Sequence, residues 1–164
     1  MKIGVLSDTH LSRVTGELVR IVEEVFGDTD LILHAGDIGS GDVLDYLDAA
    51  GVIAVRGNTD TYGGAERLPG KRVIRAGGFA LGLIHGYGAY ADLAPRMEAE
   101  FEAIDCLIFG HSHQPLSLWQ GGRLYFNPGS ATTLGRNRVR TVGLLHLNEV
   151  LRGEILPLSE ENKP

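Results

Sequence analysis

Seven side chains able to ligate a metal stand in five short segments of this chain: Asp8, His10, Asp37, Asn58, His85, His111 and His113. The segments are Ser7-Asp8-Thr9-His10, Gly36-Asp37, Gly57-Asn58-Thr59-Asp60, Ile84-His85-Gly86 and Gly110-His111-Ser112-His113, and each closely follows an apolar run. Carboxylate and amide oxygens alternate with imidazole nitrogens, and no cysteine takes part. Such a set exceeds what one ion uses and suits two ions sharing a carboxylate. The chemistry expected of it is hydrolysis at a two-metal centre. Asp8 and His10 are two residues apart, as are His111 and His113. In extended backbone each pair would point to one side and reach one ion.

The elements that must position these groups are legible in outline. Ile3–Leu6, Leu31–Leu33, Val52–Val55, Phe79–Ile84 and Cys106–Phe109 are nearly continuous apolar runs, as expected of strands buried on both faces. Val14, Leu18, Ile21, Val22, Val25 and Phe26 recur at helical spacing and stop at Gly27, a C′ candidate. Val43, Leu44 and Leu47 form a second stripe, and Leu93, Met97, Phe101 and Ile104 a third. Pro95 fits the third only in its first turn, with Asp92 as N-cap. Strand–helix alternation predicts parallel pairing. Ligands of such sheets collect beyond the carboxyl ends of the strands, where these groups stand. Gly77-Gly78, Gly121-Gly122 and the turn near Asn148 each separate two strand-like runs and predict three hairpins, which suggests a second, largely antiparallel sheet.

Composition bounds the function. At 164 residues the chain is expected to form a single domain over residues 1–158, followed by a polar tail, 159–164. It is 43% hydrophobic and 22% charged, which excludes a disordered chain. The net charge of −6 argues against a nucleic-acid partner. The lone cysteine, Cys106, rules out an internal disulfide, and its apolar neighbours predict core packing. With no signal-like start and no apolar run of ~20 residues, the expected location is cytoplasmic, with no membrane partner.

In its order of motifs, Asp-x-His, Gly-Asp, Gly-Asn, a lone His and Gly-His-x-His, the sequence resembles the calcineurin-like metallophosphoesterase superfamily. The run Leu33-His34-Ala35-Gly36-Asp37-Ile38, the later Asn127-Pro128-Gly129-Ser130 and the short length look most like its YfcE-type phosphodiesterase branch. The resemblance implies a four-layer αββα sandwich, two packed β-sheets flanked by helices, and a small phosphoester substrate. It implies that Asp8, His10 and His113 hold one ion, that Asn58, His85 and His111 hold the other, and that Asp37 bridges both. A bridging hydroxide would then be the nucleophile, and Asp37, Asn58 and His85 the catalytic core. The mixed ligand set suits Mn²⁺, Fe²⁺, Co²⁺, Ni²⁺ or Zn²⁺ over Mg²⁺ or Ca²⁺, and Mn²⁺ is favoured because the family often uses it.

One position departs from the pattern. Many superfamily members carry His after Gly-Asn, where it contacts substrate and can protonate the leaving group. Thr59 stands there instead, and a threonine hydroxyl is a poor general acid. Substrates with good leaving groups are therefore expected.

Other residues carry weaker expectations. Thr59, Arg56 and Asn127 are candidates for substrate contact, and His34 and Asp60 for support of the ligands. His146 reads as structural, and alternating Arg136, Arg138 and Arg140 as a solvated face. Exposed edge strands suggest a homodimer or homotetramer. Two rival readings stand beside the enzyme: a protein-binding scaffold like the retromer subunit of the same fold, and a nuclease.

Overall fold

The computed structural model describes residues 1–133 and 139–158. Arg136, Arg138 and the expected tail 159–164 lie outside the described residues. In chain order the elements are β1 (Lys2–Leu6), α1 (Gly16–Arg20), β2 (Leu31–His34), α2 (Gly41–Ala49), β3 (Ile53–Ala54), β4 (Lys71–Ala76), β5 (Phe79–Ile84), α3 (Leu93–Glu98), β6 (Cys106–Ile108), β7 (Leu116–Gln120), β8 (Arg123–Asn127), β9 (Thr141–Leu147) and β10 (Leu151–Pro157). A π-helical turn, Ile21–Val25, continues α1. No helix among the described residues is long and apolar enough to cross a membrane.

Two five-stranded sheets form, ordered β10-β9-β1-β2-β3 and β4-β5-β6-β8-β7. Both are mixed. In the first, β1, β2 and β3 are parallel, β9 runs antiparallel to β1, and β10 runs antiparallel to β9. In the second, β5, β6 and β8 are parallel, and the hairpins β4–β5 and β7–β8 supply antiparallel edges. All three expected hairpins are present, but their distribution differs from expectation. The β9–β10 hairpin joins the first sheet, and β5 and β6 leave the early parallel series for the second. Apolar runs specify burial on both faces and do not say which sheet supplies it.

Period-two alternation divides those runs between layers. Ile3 and Val5 of β1, Cys106 and Ile108 of β6, Phe126 of β8 and Leu145 and Leu147 of β9 meet in one core between the sheets. From the opposite faces, Leu6, Val142 and Leu144 pack on Leu18, Ile21, Val43 and Leu47 of the helical segments. Leu107 packs outward with Leu93 and Met97 of α3. The result is the four-layer αββα arrangement. Cys106 is fully buried, and burial pushes its thiol pKa upward, so it is core and not a nucleophile.

Helix ends differ from the sequence expectation. Gly27 does not adopt a left-handed C′ conformation; a Cβ there would lie 2.4 Å from the Glu23 carbonyl, so close packing explains the glycine. Helix α3 stops at Glu98, before Phe101 and Ile104, which still pack on its apolar face. Pro95 does fall in its first turn, but Asp92 has φ 53° and its side chain caps nothing. His146 pairs with Glu154 at 3.0 Å, a strand-surface contact.

Candidate metal centre

All seven predicted ligands converge beyond the carboxyl ends of β1, β2, β3, β5 and β6. His113 Nε2 lies 3.2 Å from Asp8 Oδ1 and 3.3 Å from His10 Nε2. His10 Nε2 lies 3.5 Å and His85 Nε2 3.3 Å from the same oxygen, Asp37 Oδ2. On the far side, Asn58 Oδ1 lies 3.1 Å from His85 Nε2 and 2.8 Å from His111 Nδ1. Asp8, His10 and His113 form one group within metal-ligating reach, and Asp8, Asp37 and His85 another.

The backbone reaches this convergence by strain, not by extended alternation. Asp8, His10, Asp37, His111 and His113 all have left-handed φ, from 45° to 67°. Among the described residues only Asp92 joins them as a non-glycine of this kind. Each costs about 1–2 kcal/mol, so the rest of the fold must hold them there. Two bare glycines allow the loops to close on one another. A Cβ on Gly57 would fall 2.1 Å from the Asp37 backbone nitrogen, and one on Gly110 would fall 2.0 Å from Ser7 Oγ.

Hydrogen bonds select which atom of each ligand faces inward. His85 Nδ1–H donates to the Ala35 carbonyl at 2.8 Å, and His111 Nε2–H donates to the Gly88 carbonyl at 2.9 Å. In neutral rings the remaining nitrogens are lone pairs, and both point at Asn58 Oδ1, itself an acceptor. Three acceptors facing one another without a proton between them are what a cation relieves. Asp8 Oδ2 accepts from Ser7 Oγ at 2.7 Å, which leaves Oδ1 for the centre. Asp37 Oδ1 accepts from the Thr59 backbone at 2.8 Å, which leaves Oδ2.

Electrostatics agree with that donor set. Burial alone would raise the Asp37 carboxyl, but hydrogen bonding and charge from His85, with the Thr59 donor, outweigh it and hold it well below the carboxylate range. Burial lowers His85, yet Asp37 and Asp8 overcome this and raise it. His113 is raised mainly by its bond to Asp8. The facing carboxylates thus favour the protonated form of both rings.

His34 and Asp60 support the ligand loops as expected, and Asn127 departs from its expected role. The buried Asp60 carboxylate accepts from the backbone nitrogens of Asp37 (2.9 Å), Ile38 (2.8 Å), Gly39 (3.3 Å) and Gly57 (2.8 Å). Asn127 does not line a substrate pocket. It is buried and braces the His111 loop, donating to the Gly110 carbonyl at 2.9 Å and accepting from Gly129 at 2.9 Å. His34 is also buried; its Nδ1 accepts from Gly36 at 3.1 Å and its Nε2–H donates to Thr9 Oγ1 at 3.0 Å, so it ties two ligand loops together. Burial lowers its pKa to about 4, so the ring is neutral at pH 7.

Thr59 is exposed, and its backbone N–H donates to Asp37 Oδ1. Arg56 donates from its guanidinium to the Glu66 carbonyl at 2.9 Å and stands in the wall of a cavity of about 700 Å³ that opens from Asn58 and His85. Sequence reasoning missed Ser7 and Ser130. Ser130 Oγ donates to the Asp8 carbonyl at 2.8 Å, the structural use of the Asn-Pro-Gly-Ser segment. Tyr90 rests edge-on against His111, with ring centroids 5.3 Å apart.

The calcineurin-like phosphoesterase superfamily domain matches residues 1–150. The chain belongs to this superfamily. A protein named "probable metallophosphoesterase" from Methanocaldococcus jannaschii is 35% identical over 98% of this chain and 83% of its own length. The phosphoesterase YfcE of E. coli has 25% identity and a TM-score of 0.71, covering 92% of this chain and 91% of its own. Vps29 of Entamoeba histolytica, whose structure holds zinc, has 24% identity and a TM-score of 0.70 over 96% of this chain and 99% of its own. At that identity the Vps29 likeness carries the fold alone. Members of this superfamily are metal-dependent, and the residues brought together here fit divalent ions.

Proposed function

We propose that this metallophosphoesterase is a phosphodiesterase that holds two divalent ions, with Mn²⁺ the favoured metal. The observation that carries the reading is the convergence of seven ligand side chains, with the outward atoms of Asp8, Asp37, His85 and His111 already committed to hydrogen bonds. Asp8, His10 and His113 would hold one ion, and Asn58, His85 and His111 the other. Asp37 suits the bridge because its Oδ2 faces a histidine of each group, His10 and His85. Asp8 Oδ1 is nearly as central but lies 3.9 Å from His85 and 4.0 Å from His10.

When bound, such ions make hydroxide available near neutral pH and offset charge on phosphoryl oxygens. The chain's own part is orientation. Ser7, Thr59, Ala35 and Gly88 fix the ligand atoms so that no reorganisation is needed during reaction. The cysteine is buried away from the site, so no covalent route through sulfur is supported. Thr59 leaves the leaving group to solvent for protonation, which favours aryl over alkyl esters.

The chain should be stripped with chelator, reconstituted with Mn²⁺ and assayed on bis(p-nitrophenyl) phosphate, with metal content measured in parallel. Two ions per chain and turnover are expected, and Asp37→Ala should lose both. A reconstituted chain that binds no metal would end the enzyme reading and leave a scaffold role in its place.

A further inference from the structure

The cavity that opens from Asn58 and His85 has a constructed far wall. Tyr87 stands two residues past His85, and its ring is 49% exposed. Its hydroxyl donates to Glu100 Oε1 at 2.9 Å. Glu100 is held in turn by Lys71 Nζ, 3.0 Å from Oε2 and 2.6 Å from the Glu100 carbonyl. The Arg96 guanidinium carbon lies 5.9 Å from the ring centroid. The ring is therefore a fixed wall, tied at its edge through its hydroxyl and flanked by Arg96.

The cavity continues from that ring to the metal centre without a break, lined by Arg56, Asn58, Lys71, His85, Tyr87 and Glu100 among others. A second cavity, of about 760 Å³, shares Lys71 and Glu100 but touches none of the seven ligands. Of the two, the first connects the aromatic wall to the metal ligands Asn58 and His85. Its volume of about 700 Å³ is in the range of small-ligand sites and exceeds what a bare phosphate needs. Lys71 is paired with Glu100, whereas among the described residues the Arg56 side chain meets a backbone carbonyl and no carboxylate, so the wall near Asn58 keeps positive charge for an anionic ester.

Resting on the phosphodiesterase reading, we infer that Tyr87 is a specificity-determining residue whose ring stacks on a planar aromatic substituent of the phosphoester, a nucleobase carried on a nucleotide being the natural form. Stacking needs a π-face and tolerates any base, which suits a ring held at its edge by its hydroxyl.

Calorimetry on the Mn²⁺-loaded chain tests this without relying on turnover. Thymidine 5′-monophosphate and 2-deoxyribose 5-phosphate carry the same sugar and phosphoryl group and differ in the aromatic base. The nucleotide should bind about tenfold or more tighter, the size expected of one base stack. Tyr87→Ala should remove most of that preference, and Tyr87→Phe should retain it. Equal binding of the two ligands by the wild-type chain, or equal weakening of both by Tyr87→Ala, overturns the stacking role and leaves the phosphoesterase reading intact. If neither ligand nor inorganic phosphate binds the loaded chain, the phosphoesterase reading fails and this inference fails with it.

Discussion

The carboxylate of Asp60 accepts the backbone N–H of Asp37 at 2.9 Å, and the same group accepts from Gly57 at 2.8 Å. One buried side chain thereby joins the loop carrying Asp37 to the loop carrying Asn58. Both loops bear ligands, and Asp37 is held in a left-handed conformation that it would otherwise leave. Asp60→Asn keeps the size but presents an amide NH₂ to backbone donors. Metal affinity should fall about 10- to 100-fold, as for other residues that orient ligands. Asp60→Ala should also cost about 2–4 kcal/mol, since buried donors lose their acceptor. Chelator competition measures the first effect and urea unfolding the second. Unchanged affinity in Asp60→Asn would show that the loops hold their shape without this clamp.

His34 predicts an acid-sensitive stability. Its pKa is lowered to about 4 by burial, against 6.5 in the unfolded chain. Between those values the unfolded chain binds more protons, so stability falls as pH drops from about 6.5 towards 4. The loss attributable to His34 should approach about 3 kcal/mol. Gln can imitate both of its hydrogen bonds, an acceptor towards Gly36 and a donor towards Thr9, without titrating. With chelator present, the gap between wild type and His34→Gln should therefore change across that window by about this amount. Parallel stability curves would refute the assignment.

Metal loading should release protons. His85 and His113 have raised pKa values in the metal-free chain because Asp37 and Asp8 face them. Those protons stabilise the apo-protein at low pH and are lost as pH rises through the raised values. An ion must displace them, so its affinity should fall by up to about tenfold for each unit the pH is lowered and each proton displaced. Titrations at pH 7 in buffers of different ionisation enthalpy count the protons. Heats that do not depend on the buffer would mean that the histidines are already neutral.

The ligands were legible because their chemistry and their positions at strand ends are both written locally. Asp8, Asp37, Asn58, His85 and His111 each follow an apolar run, and such runs report burial whatever the tertiary arrangement. The way the pairs reach the centre was not legible. Extended alternation is the reading for Asp8 and His10, whereas both are left-handed, a conformation that Asp and His adopt more readily than most residues but that their identity alone does not specify. The division of strands between sheets was hidden for a similar reason. Phe79–Ile84 and Cys106–Phe109 look alike whichever sheet buries them. Asp60 and Asn127 stand beside motifs, but their partners are chiefly backbone groups, and backbone partners leave no trace in residue types.

Thr59 supplies the sharpest test of what the centre lacks. Its backbone N–H holds Asp37 Oδ1 at 2.8 Å, and its side chain is exposed. A substitution there changes the side chain while keeping the bond that orients Asp37. Thr59→His should therefore load metal normally. It should also place an imidazole beside Asn58, at the position where many superfamily members carry one. A positioned acid is worth about 10²–10⁴-fold on a leaving group that needs a proton, and little on p-nitrophenolate, which does not. The variant should gain at least tenfold in kcat on an alkyl phosphodiester and change little on bis(p-nitrophenyl) phosphate. The gain should disappear as pH rises above the imidazole pKa near 6.5, since only the protonated ring can donate. A uniform change on both substrates would mean that Thr59 acts through Asp37 and not through a missing acid.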